Sequence, residues 1–191
     1  EKAFRKKMPK MYRQADVNKT MQSFVPLNYY QKQDLNPDIS FKLHNAAHIL
    51  GSSIVEIKAG NKTIVFSGDI GSEDMPLVKD IDIIKQADYV ICEGTYGDRI
   101  HHDTKTRDKE LIKAVQRATL NHSTLLIAIF ALERTQNILK VLNDYYESHL
   151  DFNVPVFLDS PMAATATQTY KKHLDYLNED AQDDMKRDKD I

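Results

Sequence analysis

Between Ile39 and Leu158 the apolar residues change their period, and that change commits the chain to a mixed α/β fold. Ile39, Phe41 and Leu43 alternate with Ser40, Lys42 and His44, the spacing of a strand with one covered face. Ile54 to Lys58 reads as a second strand, Ala59-Gly60-Asn61-Lys62 as a turn, and Thr63 to Phe66 as the return. Residues 39–69 are therefore expected to form an antiparallel sheet. After Pro76 the pattern becomes β-α-β-α-β. Continuous apolar runs at Tyr89–Cys92, Leu125–Phe130 and Val154–Leu158 alternate with helical spacing in residues 106–120 and 133–149. Leu111, Ile112, Val115 and Ala118 carry the first helix, and Ile138, Leu139, Leu142 and Tyr145 the second. Continuous apolar strands between helices predict a parallel sheet covered on both faces. A short helix is expected over 15–24, N-capped by Asp16 and ended by Pro26. A last helix is expected from near Pro161 to about Leu174. The charge-dense tail from Glu179 to Ile191 reads as a loose helix or a linker.

Composition narrows the function classes. At 191 residues there is room for one domain or two small ones, and 41% apolar residues suffice for a core. The single cysteine, Cys92, excludes an internal disulfide framework and fits a reducing compartment, so a cytoplasmic location is expected. Cys92 itself sits in an apolar run and is expected to pack in the core. A formal net charge of −2 gives no global basic field; attraction of a nucleic acid must come from a local patch or a metal. Lys2, Arg5, Lys6, Lys7, Lys10 and Arg13 read as a solvated arm or helix. No apolar stretch is long enough to span a membrane, and no membrane partner is expected. The chain begins at Glu1 rather than Met, so the lack of a visible signal peptide carries little weight.

Two residues sit where metal ligands would sit. His48 lies in Asn45-Ala46-Ala47-His48-Ile49-Leu50-Gly51-Ser52-Ser53, just after one strand, and Asp69 in Phe66-Ser67-Gly68-Asp69-Ile70-Gly71, just after another. The intervening hairpin returns the two ends to one sheet edge. A neutral imidazole and a carboxylate suit zinc, and a carboxylate can bridge two metals. Each residue also has a plainer reading, His48 as a hydrogen-bonded structural residue and Asp69 as turn chemistry. Glu93 ends a strand before Gly94, a place for a functional carboxylate or for a loop cap. Arg134 opens a helix after Phe130 and could receive a phosphate or pair with a glutamate. Ser160, in Asp159-Ser160-Pro161-Met162-Ala163, could hold phosphate or cap its helix. His101 and His102 read as solvated loop residues, and His44 as packing or capping. His122, His149 and His173 read as surface or helix-end residues.

Five segments in order resemble one family. They are Ala47-His48-Ile49-Leu50-Gly51-Ser52, Ser67-Gly68-Asp69, Glu93-Gly94-Thr95-Tyr96-Gly97-Asp98-Arg99, Phe130-Ala131-Leu132-Glu133-Arg134-Thr135-Gln136 and Asp159-Ser160-Pro161-Met162-Ala163. Together they look like the beta-CASP branch of the metallo-beta-lactamase superfamily, over roughly residues 10–175. The resemblance implies part of an αββα sandwich joined to a beta-CASP α/β cap with a parallel sheet. Residues 1–98 would belong to the sandwich and 99–191 to the cap. It implies zinc-dependent hydrolysis of RNA phosphodiester bonds, with two zinc ions per complete site. His48 would be a zinc ligand and Asp69 the bridging ligand. Glu93 would orient a histidine that comes later, and Arg134 and Ser160 would lie near the RNA path. RNA is the implied partner, and a homodimer stays open.

The departures bear on activity. The family's His-x-His-x-Asp-His cluster is absent and is expected to precede this segment; two later histidines are expected to follow residue 191. Ala46-Ala47 stands where Ala-Gly is more usual, and Glu93-Gly94 where Glu-Ser is. The chain is thus expected to be the middle piece of a longer enzyme, with exposed apolar surface and no activity alone. A non-catalytic scaffold binding RNA or a partner is one alternative. A small-molecule hydrolase of the wider superfamily is another.

Overall fold

The computed structural model describes residues 10–100, 104–149, 151 and 153–187. A short helix α1 (Gln14–Met21) leads into five strands: β1 (Gln33–Asn36), β2 (Ile39–Asn45), β3 (Ser53–Ala59), β4 (Lys62–Phe66) and β5 (Tyr89–Ile91). Four helices follow: α2 (Thr104–Leu120), α3 (Arg134–Ser148), α4 (Pro161–Lys172) and α5 (Glu179–Arg187). A 3-10 turn at Leu174–Tyr176 lies between the last two.

The strands form one sheet in sequence order, antiparallel from β1 to β4 and parallel between β4 and β5. The expected hairpin is present, with Ala59 opposite Lys62 across a two-residue turn. Gly60 takes φ +57 as the first turn residue, the position where a type II′ turn needs glycine. Strand β1 was not expected from its polar sequence. It pairs along β2 through a turn in which the Asn36 side-chain oxygen accepts the Asp38 and Ile39 amides at 2.9 and 2.8 Å.

Two apolar clusters hold the described residues. Ala46, Ile54 and Val65 on the sheet pack against Ile81, Ile84 and Ala87 from the segment between β4 and β5. Asn45 pins that segment: its amide donates to Asp82 at 2.7 Å and its side chain to the Lys79 and Asp80 carbonyls. The second cluster joins Met75, Leu77 and Val78 to Tyr170, Leu177 and Ala181, so the helical part is packed onto the loop after β4. Asn178 fastens the contact by donating to the Met75 carbonyl and accepting the Ala181 amide at the start of α5. The tail is therefore an anchored helix through Arg187, with Ala181 buried, rather than a loose segment. Lys140 on α3 reaches Asp184 on α5 at 2.6 Å and adds an ion pair between the two.

Several expectations are corrected. Leu125–Phe130 and Val154–Leu158 are not strands: the sheet ends at β5 and neither run joins its ladder. Leu125–Ile129 and Val154–Leu158 instead line a cavity of about 910 Å³ with the apolar faces of α2 and α3, among them Val115, Ile138 and Leu142. The helices cover one side, while Leu126, Phe130 and Phe157 stay 91%, 82% and 87% exposed. An apolar run becomes a strand only when a neighbour takes up its backbone groups. Strand β5 is exposed rather than buried; it is an edge strand whose one ladder partner among the described residues is β4. Cys92 beyond it is exposed as well. Asp16 is not the N-cap of α1; Arg13 holds that place, and Asp16 accepts its amide at 2.7 Å from the third helical position.

Candidate metal centre

The site begins with the loop after β2. Ala46-Ala47-His48-Ile49-Leu50-Gly51-Ser52 folds around Ser52, whose hydroxyl oxygen accepts the His48 and Ile49 amides at 3.0 and 3.2 Å. The Ser52 carbonyl accepts the Ala46 amide and the Tyr29 hydroxyl, at 3.1 and 2.8 Å. His48 is thus held at the start of a closed loop, half-buried.

The loop after β4 docks directly on it. The Gly71 amide donates to the Ala46 carbonyl at 2.9 Å. A side chain at Gly71 would put its Cβ 1.7 Å from the Ala47 carbonyl oxygen, so only glycine lets the two backbones meet. Asp69, two residues earlier, is exposed at the mouth of this contact.

Glu93, just beyond β5, locks the second loop from the other side. Its carboxylate accepts the Ile70 amide at 2.7 Å, and its own amide donates to the Ser67 hydroxyl oxygen at 2.9 Å. The Ile70 amide, then Thr95 and the nearby His48, hold its pKa below the usual carboxylate range. The structure therefore brings the segments of His48, Asp69 and Glu93 together from three chain turns.

Arg134 is exposed at the first position of α3 and makes no ion pair among the described residues. Its charge lies close enough to Glu133 to favour that carboxylate's ionised form. Ser160 caps α4, accepting the Ala163 amide at 3.2 Å, which is the structural one of its two readings. His44 pairs with Glu56 at 2.7 Å between β2 and β3. His122, His149 and His173 each follow a helix. His101 and His102, and most of the basic segment before Arg13, lie outside the described residues.

Glu133 and Tyr170 were not singled out from sequence. Glu133 takes φ +61 at the start of α3 and is 2% exposed. Burial pushes its carboxyl pKa up, against the bonds from Tyr170 and Asn137 and the charges of Arg134 and His48. The Tyr170 hydroxyl donates to it, and the Leu50 amide donates to the same hydroxyl at 3.2 Å. Glu133 lies within the segment Phe130 to Gln136 that carries the resemblance, but nothing in the sequence pairs it with Tyr170.

His48 and Asp69 offer imidazole nitrogen and carboxylate oxygen, both zinc donors, on two loops in backbone contact. Among the described residues no group of three or more His, Cys, Asp or Glu side chains is placed to hold a metal ion. The chain thus carries donors of the right chemistry for part of a shell. Among the described residues no helix is long and apolar enough to cross a membrane.

The chain has relatives among known proteins. A Beta-Casp domain is matched over residues 135–190. The chain is 33% identical over 175 residues to an RNase J-like protein of Methanocaldococcus jannaschii, covering 90% of this chain and 41% of that protein. It is 33% identical over 167 residues to ribonuclease TTHA0252 of Thermus thermophilus, covering 87% and 38%. It is 34% identical over 180 residues to transcription termination factor FttA of Methanosarcina mazei, covering 92% and 28%. The chain spans about two fifths or less of the length of these relatives. With a matched Beta-Casp domain and relatives along most of its length, the chain is homologous to ribonucleases of the metallo-beta-lactamase/beta-CASP family.

Proposed function

We propose that this chain is part of a zinc-dependent hydrolase of RNA phosphodiester bonds, acting in RNA processing or decay in the cytoplasm. The observation that carries the reading is the backbone contact of Gly71 with Ala46 and Ala47, which sets the Asp69 loop against the His48 loop. In this reading residues 1–98 belong to an αββα sandwich and 99–191 to the cap. His48 and Asp69 would hold zinc, two ions per complete site, with further ligands from elsewhere in the protein. Bound zinc supplies Lewis acidity toward water and a phosphoryl oxygen.

The chain's own residues do the positioning. Glu93 stays ionised and braces the Asp69 loop through the Ile70 amide. Its charge is also available to orient a histidine, which could then move a proton to a leaving oxygen. Arg134, exposed and unpaired among the described residues, is available to a phosphate of the RNA. Ser160 is assigned to the same path, with its hydroxyl oxygen engaged in capping α4.

Asp69→Ala in the complete protein is expected to remove most bound zinc and RNA cleavage together, measured by metal analysis and a labelled-RNA assay. Cleavage at the parent rate in that variant would overturn the reading. A second reading is that the protein acts on RNA chiefly by binding it, with the exposed Arg134 offered to a phosphate in the same way. Zinc-loaded complete protein that binds RNA without cutting it would move the conclusion there.

A further inference from the structure

Ser52 closes the His48 loop on itself, but closure alone does not orient it against the helices. Leu50 does that. Its side chain packs beside the cluster of Leu77, Tyr170 and Leu177, and its amide donates to the Tyr170 hydroxyl at 3.2 Å across 120 positions of sequence. Tyr170 is 1% exposed on α4. Its hydroxyl donates onward to the Glu133 carboxylate at the start of α3, and the other Glu133 oxygen accepts the Asn137 side chain at 3.1 Å. Gln136 ties the same two helices, donating to the Ala163 carbonyl and the Thr167 hydroxyl oxygen at 3.3 and 3.1 Å. A continuous buried chain of donors and acceptors thus runs from the His48 loop into both helices.

A phenylalanine would fill the same volume, and an apolar residue in place of Glu133 would avoid burying a carboxylate, which is costly even when hydrogen-bonded. What the polar pair adds is direction: the hydroxyl must face both the loop amide and the carboxylate, and this allows one seating of α4 on the loop.

We propose that Tyr170 is a positioning residue, its hydroxyl clamped by Glu133 so that the Leu50 amide, and with it the His48 loop, is held in one place against α3 and α4. The inference rests on the reading of His48 as a zinc ligand for its consequence in activity, though not for the clamp itself.

The test compares Tyr170→Phe, Glu133→Ala and Glu133→Gln with the parent in the complete protein. The measurements are amide exchange over residues 48–52, zinc affinity by chelator competition, and kcat and KM on RNA. Tyr170→Phe and Glu133→Ala are expected to speed loop exchange and weaken zinc binding by about tenfold, the effect of one hydrogen bond. They should lower kcat more than they raise KM, because the clamp holds the metal loop directly and reaches Arg134 and Ser160 only through the seating of α3 and α4. Glu133→Gln keeps an acceptor for the hydroxyl and is expected to restore all three. Loop exchange and zinc affinity unchanged in both loss variants would overturn the proposal, and if one does not fold the other decides. A complete protein that holds no zinc defeats the metal reading instead, and the exchange measurement then judges the clamp by itself.

Discussion

Ala47 is buried with its backbone at φ +57, a conformation that costs an L-residue with a side chain about 1–2 kcal/mol. The resemblance implies that Ala-Gly is more usual where Ala46-Ala47 stands, and the positive φ of Ala47 gives the physical reason for a glycine there. Ala47→Gly is expected to stabilise the protein by up to about 1 kcal/mol, after the extra unfolded-state freedom of glycine is subtracted. Gly71→Ala is the opposite case. Its methyl would meet the Ala47 carbonyl, so the two loops must part, at a cost of about 3 kcal/mol. Denaturant midpoints read both variants, and an unshifted midpoint for Gly71→Ala would mean that the loops are not in contact. His48, Asp69 and Glu93 were all legible as residues at strand ends, because strand ends follow from local period and turn chemistry. Glu133 and Tyr170 were not, because their importance comes from a contact between distant segments.

The junction of α3 and α4 has a pH dependence of definite sign. Burial raises the Glu133 carboxyl pKa above its ordinary value of 4.5, so the folded state keeps a proton that the unfolded chain has released. Stability from this group is therefore full below the unfolded value and is lost as pH rises through the folded one. Glu133→Gln removes the dependence. The melting temperature of the variant minus that of the parent is expected to grow from weakly acidic to weakly alkaline buffer. A difference that stays flat would mean that Glu133 is already ionised when folded. The helices were well marked by their spacing: 106–120 and 133–149 were expected, and Thr104–Leu120 and Arg134–Ser148 are found. Strand β1 was missed because Gln33-Asp34-Leu35-Asn36 has no apolar alternation; it forms because β2 offers it a ladder.

Taken whole, the chain has a laddered end and an unladdered one. Amides of β2 and β3 face paired neighbours, whereas those of residues 125–130 and 154–158 lie outside the sheet. In the 191-residue chain the second group is expected to exchange with solvent at least tenfold faster than the first, by mass-spectrometric hydrogen exchange. Equal protection of Leu126 and Ile57 would mean that the apolar runs are paired as strands after all. The second cluster joins Met75, Leu77 and Val78 to Tyr170, Leu177 and Ala181, so the loop after β4 and the last helices share a core.

The sequence by itself determined the periods, the hairpin, the helices and the residues that stand at strand ends. These follow from backbone geometry and the chemistry of a few neighbours, which a local reading contains. Only the tertiary structure decided that Gly71 meets Ala47, that Tyr170 reaches Leu50, and that Leu125–Ile129 lines a cavity without joining a ladder. Each of these depends on which distant segment arrives to satisfy a backbone group or fill a space, and no local pattern encodes that arrival.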